Sequence, residues 1–192
     1  FSVTNGLTLD DHITIQKELE SSFDVKLSMS IGYGENPYDA NLDAYEAKKS
    51  QKFLNEQYSI FGTLNGHSEH SVTIMHLDVD DLTSKRKKMS PYDTSSLMFK
   101  IYSRMSEYFL SKNSLTFFMG GDNFMVVTNS EFKNFAKEFI KMCKDEFEIE
   151  LNCGIGTAQT SRDAVKLATK SLDTIREIRD SGKEKPEIYE LN

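Results

Sequence analysis

The sequence predicts an α+β protein of ferredoxin-like, split β-α-β units in tandem, each an antiparallel sheet with helices packed on one face. Three observations predict it. The chain repeats itself at a shift of 124 positions. Its one complete repeat reads strand, helix, hairpin, helix, strand. Its apolar residues alternate with period two in the strands and recur at helical spacing between them.

The shift brings Val3-Thr4-Asn5 onto Val127-Thr128-Asn129, and Phe23 and Leu27 onto Phe147 and Leu151. Ile31-Gly32 falls on Ile155-Gly156, Asp39-Ala40 on Asp163-Ala164, and Ala44 on Ala168. Residues 69–192 are therefore read as one whole unit. Residues 1–68 are read as the later part of a truncated first unit plus a linker. About 56 residues are expected before Phe1, within a protein of roughly 250 residues.

In the whole unit, Val72–Val79 alternates as a strand. Ser90-Pro91 opens a helix whose apolar face carries Leu97, Met98, Ile101, Tyr102, Met105 and Phe109. Leu115–Met119 and Phe124–Thr128 flank Gly120-Gly121-Asp122-Asn123 and predict a hairpin. Ser130 is expected to cap a helix bearing Phe132, Phe135, Phe139 and Met142. A strand from Glu148 to Gly156 follows, then a helix capped by Ser161, then an edge strand from Pro186 to Leu191. In the first unit, Phe1–Thr4 and Val25–Gly32 read as strands. Thr8-Leu9-Asp10-Asp11 reads as a capping box for a helix ending near Ser21. A second helix runs from Tyr38 to about Phe53, and residues 55–70 read as a connection.

The chain has 192 residues, with 30 acidic against 23 basic side chains and a formal charge of −7. That balance argues against a nucleic-acid coat, which needs a Lys/Arg surplus. No apolar run approaches the roughly 20 residues of a membrane span. The start, Phe1-Ser2-Val3-Thr4-Asn5, lacks the charged and apolar regions of a signal peptide. Cys143 and Cys153 form neither a metal pair nor a disulfide framework, which suits reduced thiols and a cytoplasmic location. The sheet edge and acidic surface permit a homo-oligomer.

Two carboxylate motifs carry the chemistry. His76-Leu77-Asp78-Val79-Asp80-Asp81-Leu82-Thr83 ends a strand in three acids, with His76, Asp78 and Asp80 on one face. Gly120-Gly121-Asp122-Asn123 turns the hairpin, and a split βαβ sheet lays the first strand beside that hairpin. Asp78 and Asp122 can then converge. Carboxylates without a His/Cys set point to hard cations, Mg²⁺ above all, and to no zinc. Two such ions can activate a nucleophile and neutralise phosphate charge. Backbone amides of Asp80, Asp81, Leu82 and Thr83 suit a triphosphate, and Gly120 and Gly121 allow close backbone approach. His76 is read either as a structural residue or as a proton-transfer group. Arg176 is read either as a surface charge or as a phosphate contact. The basic run Lys85-Arg86-Lys87-Lys88 reads as a solvated loop first and a phosphate attractor second.

At these residues the sequence resembles archaeal GTP cyclohydrolase III. The stretches that carry the resemblance are Ser28-Met29-Ser30-Ile31, Pro37-Tyr38-Asp39-Ala40, His76-Leu77-Asp78-Val79, Tyr92-Asp93-Thr94, Phe118–Met125 around the glycine pair, and Gly154-Ile155-Gly156. The resemblance implies two fused palm domains, GTP as small-molecule substrate, and Mg²⁺, in all two ions, with no organic cofactor. It implies opening of the imidazole ring with the formyl group retained, and release of two separate phosphates. The product would be 2-amino-5-formylamino-6-(5-phospho-D-ribosylamino)pyrimidin-4(3H)-one, an intermediate toward riboflavin- and deazaflavin-type cofactors. It matches Asp78 and Asp122, with the Val79 carbonyl, to metal ligands. It places Gly120, Gly121 and Asn123 around the nucleotide; Asp93 is the choice for guanine, since a carboxylate can accept from both N1–H and the 2-amino group, and by a looser analogy with the last helix of GGDEF domains Arg176 aligns with a phosphate-contacting base. His76 and a metal-bound hydroxide both remain open as the agent of ring opening. The alternatives are a nucleotidyl or diguanylate cyclase-like enzyme that releases pyrophosphate, and a catalytically silent nucleotide-binding module.

Overall fold

The computed structural model describes residues 1–64, 71–82, 88–128 and 132–192. Packing divides the chain into two compact units, Phe1–His70 and Ser71–Asn192.

In the first unit, helix α1 (Leu9–Phe23) opens with the expected capping box. The Thr8 hydroxyl accepts from the Asp11 amide at 3.2 Å, and the Asp11 carboxylate accepts from the Thr8 amide at 2.8 Å. Strand β1 (Met29–Ile31) is shorter than the sequence suggested. Helix α2 (Pro37–Lys49) is capped by Asn36, with proline in its first turn. Strands β2 (Phe53–Asn55) and β3 (Ile60–Gly62) follow, where the sequence suggested a connection. The sheet order is β1-β3-β2, with β1 parallel to β3 and β2 antiparallel to it. Residues 1–4 are not a strand.

The second unit opens with β4 (Val72–Val79), followed by α3 (Pro91–Leu110) and the hairpin of β5 (Leu115–Gly120) and β6 (Asn123–Thr128). Then come α4 (Phe132–Phe147), β7 (Leu151–Ala158), α5 (Ser161–Asp180) and β8 (Ile188–Leu191). The α5 cap is Thr160, whose hydroxyl accepts from the Asp163 amide, so Ser161 is the first helical residue. Ser130, the expected α4 cap, lies outside the described residues. The sheet order is β5-β6-β4-β7-β8. β4 runs antiparallel to both β6 and β7, as the split βαβ pattern requires, and β8 joins β7 in parallel.

All eight residues of β4 are buried, which follows from its central place and from cover on both faces. Met75, Leu77 and Val79 point to one face and join α3 (Met98, Ile101, Met105, Phe109) and α4 (Ala136, Phe139, Ile140, Cys143) in a single core. Ile74, His76 and Asp78 point to the other face by the period of two. The expectation of helices on one face holds for α3 and α4, whereas α5 covers the opposite face. Glycine allows this. A Cβ on Gly154 would stand 2.2 Å from the Ala168 carbonyl oxygen, and one on Gly156 would stand 2.3 Å from that of Ala164. The first unit repeats the device at the same shift of 124: a Cβ on Gly32 would stand 1.9 Å from the carbonyl oxygen of Ala40.

Both cysteines are free and buried. Burial pushes the Cys143 thiol up to about 12, and burial raises Cys153 as well. Reaction with a thiol reagent at neutral pH is expected only after unfolding, at both thiols together. Rapid labelling of the native protein would contradict the packing. Among the described residues no helix is long and apolar enough to cross a membrane.

Candidate active site

The site forms where β4 ends, on the sheet face that α5 covers. Asp78 is 5% exposed and stands in register with Asn123 on β6 and Asn152 on β7. A buried carboxylate needs donors, and it has them. The Asn152 Nδ2 donates to Asp78 Oδ1 at 3.0 Å. The guanidinium of Arg176 on α5 donates to Asp78 Oδ2 through Nη2 at 2.7 Å and Nε at 3.2 Å. Burial alone would lower the Arg176 pKa, but its bonds to Asp78 and Asp173 outweigh that and raise it.

Asp80, two residues on, points to the same face and collects three partners. Asn152 Nδ2 donates to its Oδ1 at 3.2 Å, Arg179 Nη1 donates to the same oxygen at 3.3 Å, and Lys185 Nζ stands 3.1 Å from Oδ2. Burial pushes the Asp80 carboxyl upward, but the bonds from Asn152 and Lys185 hold it below the usual carboxylate range.

The hairpin closes the other side. Gly120 and Gly121 have φ of +97° and +64°, a conformation L side chains rarely adopt. A Cβ on Gly120 would meet nothing within 4 Å, so glycine is required there by backbone conformation, and the space beside the turn is open. Asp122 is half-buried and accepts from Asn123 Nδ2 at 3.3 Å. His76 spans from α5 to this turn. Its Nε2 lies 3.1 Å from Asn123 Oδ1 and its Nδ1 lies 3.2 Å from the Thr169 hydroxyl. An amide oxygen only accepts, so Nε2 carries the proton and the Thr169 hydroxyl donates to Nδ1. Burial lowers the His76 pKa, against the opposing bond to Asn123 and the charge of Asp78, which keeps the ring neutral.

The structure thus brings together Asp78, Asp80, His76, Asn123, Arg176 and the turn of Gly120, Gly121 and Asp122. The amide of Asp80 is committed, since it donates to the Glu150 carbonyl at 2.9 Å and extends the β4–β7 ladder. The same alternation turns the Val79 peptide groups toward the β6 side, where β6 starts only at Asn123. Asp81 is exposed with φ of +50°. Leu82 is a core side chain. Thr83 and Lys85 to Lys87 lie outside the described residues. Asp93 is exposed and serves the α3 cap, where its carboxylate accepts from the Ser90 hydroxyl at 2.6 Å.

Sequence reasoning missed Asn152, Thr169, Arg179 and Lys185. Asn152 left a signal, because it is a lone polar side chain within the apolar strand Leu151–Ile155. Arg179 sits one turn beyond Arg176 on the same helix, which the period of 3.6 exposes. Thr169 and Lys185 left none, because only the fold decides that they meet His76 and Asp80.

Among the described residues no group of three or more His, Cys, Asp or Glu side chains assembles as a metal cluster.

The family model for GTP cyclohydrolase III matches residues 1–186. The chain is 33% identical to GTP cyclohydrolase III of Methanothermobacter thermautotrophicus, over 91% of this chain and 72% of that protein. It is 32% identical to GTP cyclohydrolase III of Methanococcus vannielii, over 99% of this chain and 71% of that protein. Among solved structures, an EAL/GGDEF domain protein from M. capsulatus superposes with a TM-score of 0.53 at 16% identity, over 67% of this chain and 90% of that chain. A GGDEF domain from Pseudomonas aeruginosa gives 0.51 at 18% identity, over 64% and 84%. These likenesses show a palm fold.

Proposed function

This chain belongs to the GTP cyclohydrolase III family, and from that premise we propose that it hydrolyses GTP at the end of β4. In this reading the imidazole ring opens with the formyl group retained and two phosphates leave separately. The product is 2-amino-5-formylamino-6-(5-phospho-D-ribosylamino)pyrimidin-4(3H)-one. The observation that carries the proposal is the buried Asp78 beside an open two-glycine turn, with Arg176 already held at its carboxylate.

The donor set fits Mg²⁺. Asp78 and Asp122 would offer carboxylate oxygens and Val79 its main-chain carbonyl, all oxygen donors of the kind Mg²⁺ takes. When bound there, the ion would supply charge neutralisation and an activated water. The chain's own residues do the rest. Arg176, part-buried and already oriented by Asp173 at 2.9 Å, can be transferred from Asp78 to a phosphate oxygen. The glycine turn lets backbone amides approach the nucleotide. His76, neutral and bonded at both nitrogens, fixes Asn123 and through it Asp122. The matched spacing of Gly32 and Gly156 supports reading residues 1–68 as the later part of a first palm-like unit plus a linker, and 69–192 as the second.

The test is incubation with GTP and Mg²⁺, followed by mass analysis and phosphate release. A formamidopyrimidine monophosphate with two phosphates per GTP is expected. A cyclic nucleotide with pyrophosphate would overturn the proposal in favour of a cyclase. Unchanged GTP would leave a binding module. Asp122→Ala is expected to lower turnover on the order of 100-fold or more with an unchanged melting temperature, since a turn carboxylate is not core. Near-normal turnover would remove Asp122 from the site.

A further inference from the structure

We propose that Asn152 and Lys185 are positioning residues, Asn152 holding the Asp78 carboxylate in place and Lys185 holding the Asn152 amide. This rests on the reading of Asp78 as a carboxylate of the GTP site.

Asn152 is 1% exposed and lies directly opposite Asp78 in the β4–β7 ladder. Its Nδ2 carries two hydrogens. One goes to Asp78 Oδ1 at 3.0 Å and the other to Asp80 Oδ1 at 3.2 Å. Its Oδ1 accepts from Lys185 Nζ at 2.6 Å. Lys185 also pairs with Asp80 Oδ2 at 3.1 Å, so lysine, amide and Asp80 close a ring of contacts, to which Asp78 is joined through Asn152.

The chemistry of each atom fixes the arrangement. Two carboxylates so close repel, and a buried acceptor cannot sit between them without donors. A neutral planar amide supplies both donors from one nitrogen and turns its single acceptor away. A cation at that acceptor makes the reverse orientation costly, because it would face Lys185 with N–H groups and the acids with an oxygen. Asp80 is saturated by Asn152, Arg179 and Lys185, and so serves as an anchor. Asp78 differs, because among the described residues its Oδ2 is held only by Arg176, a part-exposed and long side chain. The network therefore pins one oxygen of Asp78 through Asn152 and leaves the other exchangeable. Lys185 reaches in from the segment between α5 and β8, so that segment tunes the site without touching substrate.

The test uses Lys185→Met, Lys185→Arg, Asn152→Ala and the Asn152→Ala/Lys185→Met pair in the full chain. The readouts are kcat and KM for GTP, the Mg²⁺ concentration giving half-maximal rate, calorimetric binding of GTP with Mg²⁺, and thermal unfolding. Lys185→Met is expected to lower kcat about tenfold and to raise the Mg²⁺ requirement several-fold, with KM for GTP nearly unchanged. Lys185→Arg should recover most of that loss. The double variant should lose no more than Asn152→Ala alone, because Lys185 acts through the amide. Multiplying losses, or a large rise in KM at unchanged kcat, would overturn the proposal, the latter showing direct substrate contact. Lys185 is 18% exposed in its side chain, so its variants keep the test alive if Asn152→Ala does not fold. Absence of turnover in the unmodified chain would count against the proposed function alone. Mg²⁺-dependent GTP binding then decides here: weakening in Lys185→Met with recovery in Lys185→Arg supports the positioning role, and equal binding in all variants overturns it.

Discussion

Asp78→Asn is expected to reduce phosphate release from GTP by on the order of 1,000-fold or more, the largest effect of any single polar substitution in the chain. The side chain keeps its shape but loses its charge, and with it the affinity for a cation. It also places a donor where Asn152 and Arg176 already donate. One of those contacts must break, so the amide cannot copy the carboxylate's position. The effect on stability is smaller. Removing one partner of a buried ion pair costs about 3–5 kcal/mol when the other is left buried. Arg176 is not left so, since its side chain is 37% exposed and keeps Asp173 at 2.9 Å. A loss of about 1–3 kcal/mol is expected, from the buried amide hydrogen left without an acceptor. Steady-state phosphate release and a melting curve on the same sample separate the two. Substantial turnover in this variant would move the chemistry away from β4.

Gly154→Ala is expected to have the opposite profile, with a fall in melting temperature of roughly 10–20 °C before any kinetic effect is considered. The added Cβ would stand 2.2 Å from the Ala168 carbonyl oxygen, 2.4 Å from the Leu172 amide nitrogen and 2.9 Å from the Leu172 Cα. All three are backbone atoms of one helix, so no side chain can turn aside. Helix α5 must lift as a body, which opens the buried seam of Ala164, Ala168, Leu172 and Ile175. Overpacking typically costs about 1–3 kcal/mol, and this case belongs at or above the upper end. Activity falls with it, because α5 carries Thr169, Arg176 and Arg179. A melting temperature within a degree or two of the parent would show that α5 does not rest on β7 this closely.

The strands of the second unit were legible because β4 and the hairpin carry strong apolar runs bounded by the glycine pair. Two helices were legible from caps, Thr8 and Ser90, where a side-chain oxygen takes an orphan amide, whereas the α5 cap is Thr160 rather than Ser161 and the α2 cap, Asn36, was not read. The short strands of the first unit were not. β2 and β3 have three residues each, too few for a period to register. The position of α5 was hidden for a different reason. Its partner surface on β7 is a pair of glycines, which carry no hydropathy signal. At the site, Asp78 and the turn stood out through composition, whereas the cations and Asn152 arrive from up to 107 residues away in sequence, as with Asp78 and Lys185. Contacts of that range are set by topology, which local pattern does not encode.

The split of β4 between two faces has a consequence for how the protein can diverge. Positions 75, 77 and 79 are answerable to volume, because each fills space between α3 and α4. Positions 76 and 78 are answerable to charge and hydrogen bonding, because each is bound to named polar partners. Two kinds of constraint are thus interleaved residue by residue along one strand. An exchange of Leu77 for another large aliphatic residue is a question of packing, and the neighbouring exchange of Asp78 for any residue at all is a question of chemistry. Drift along this strand is read with alternating rules, and neither rule can relax without the other holding the same backbone in place.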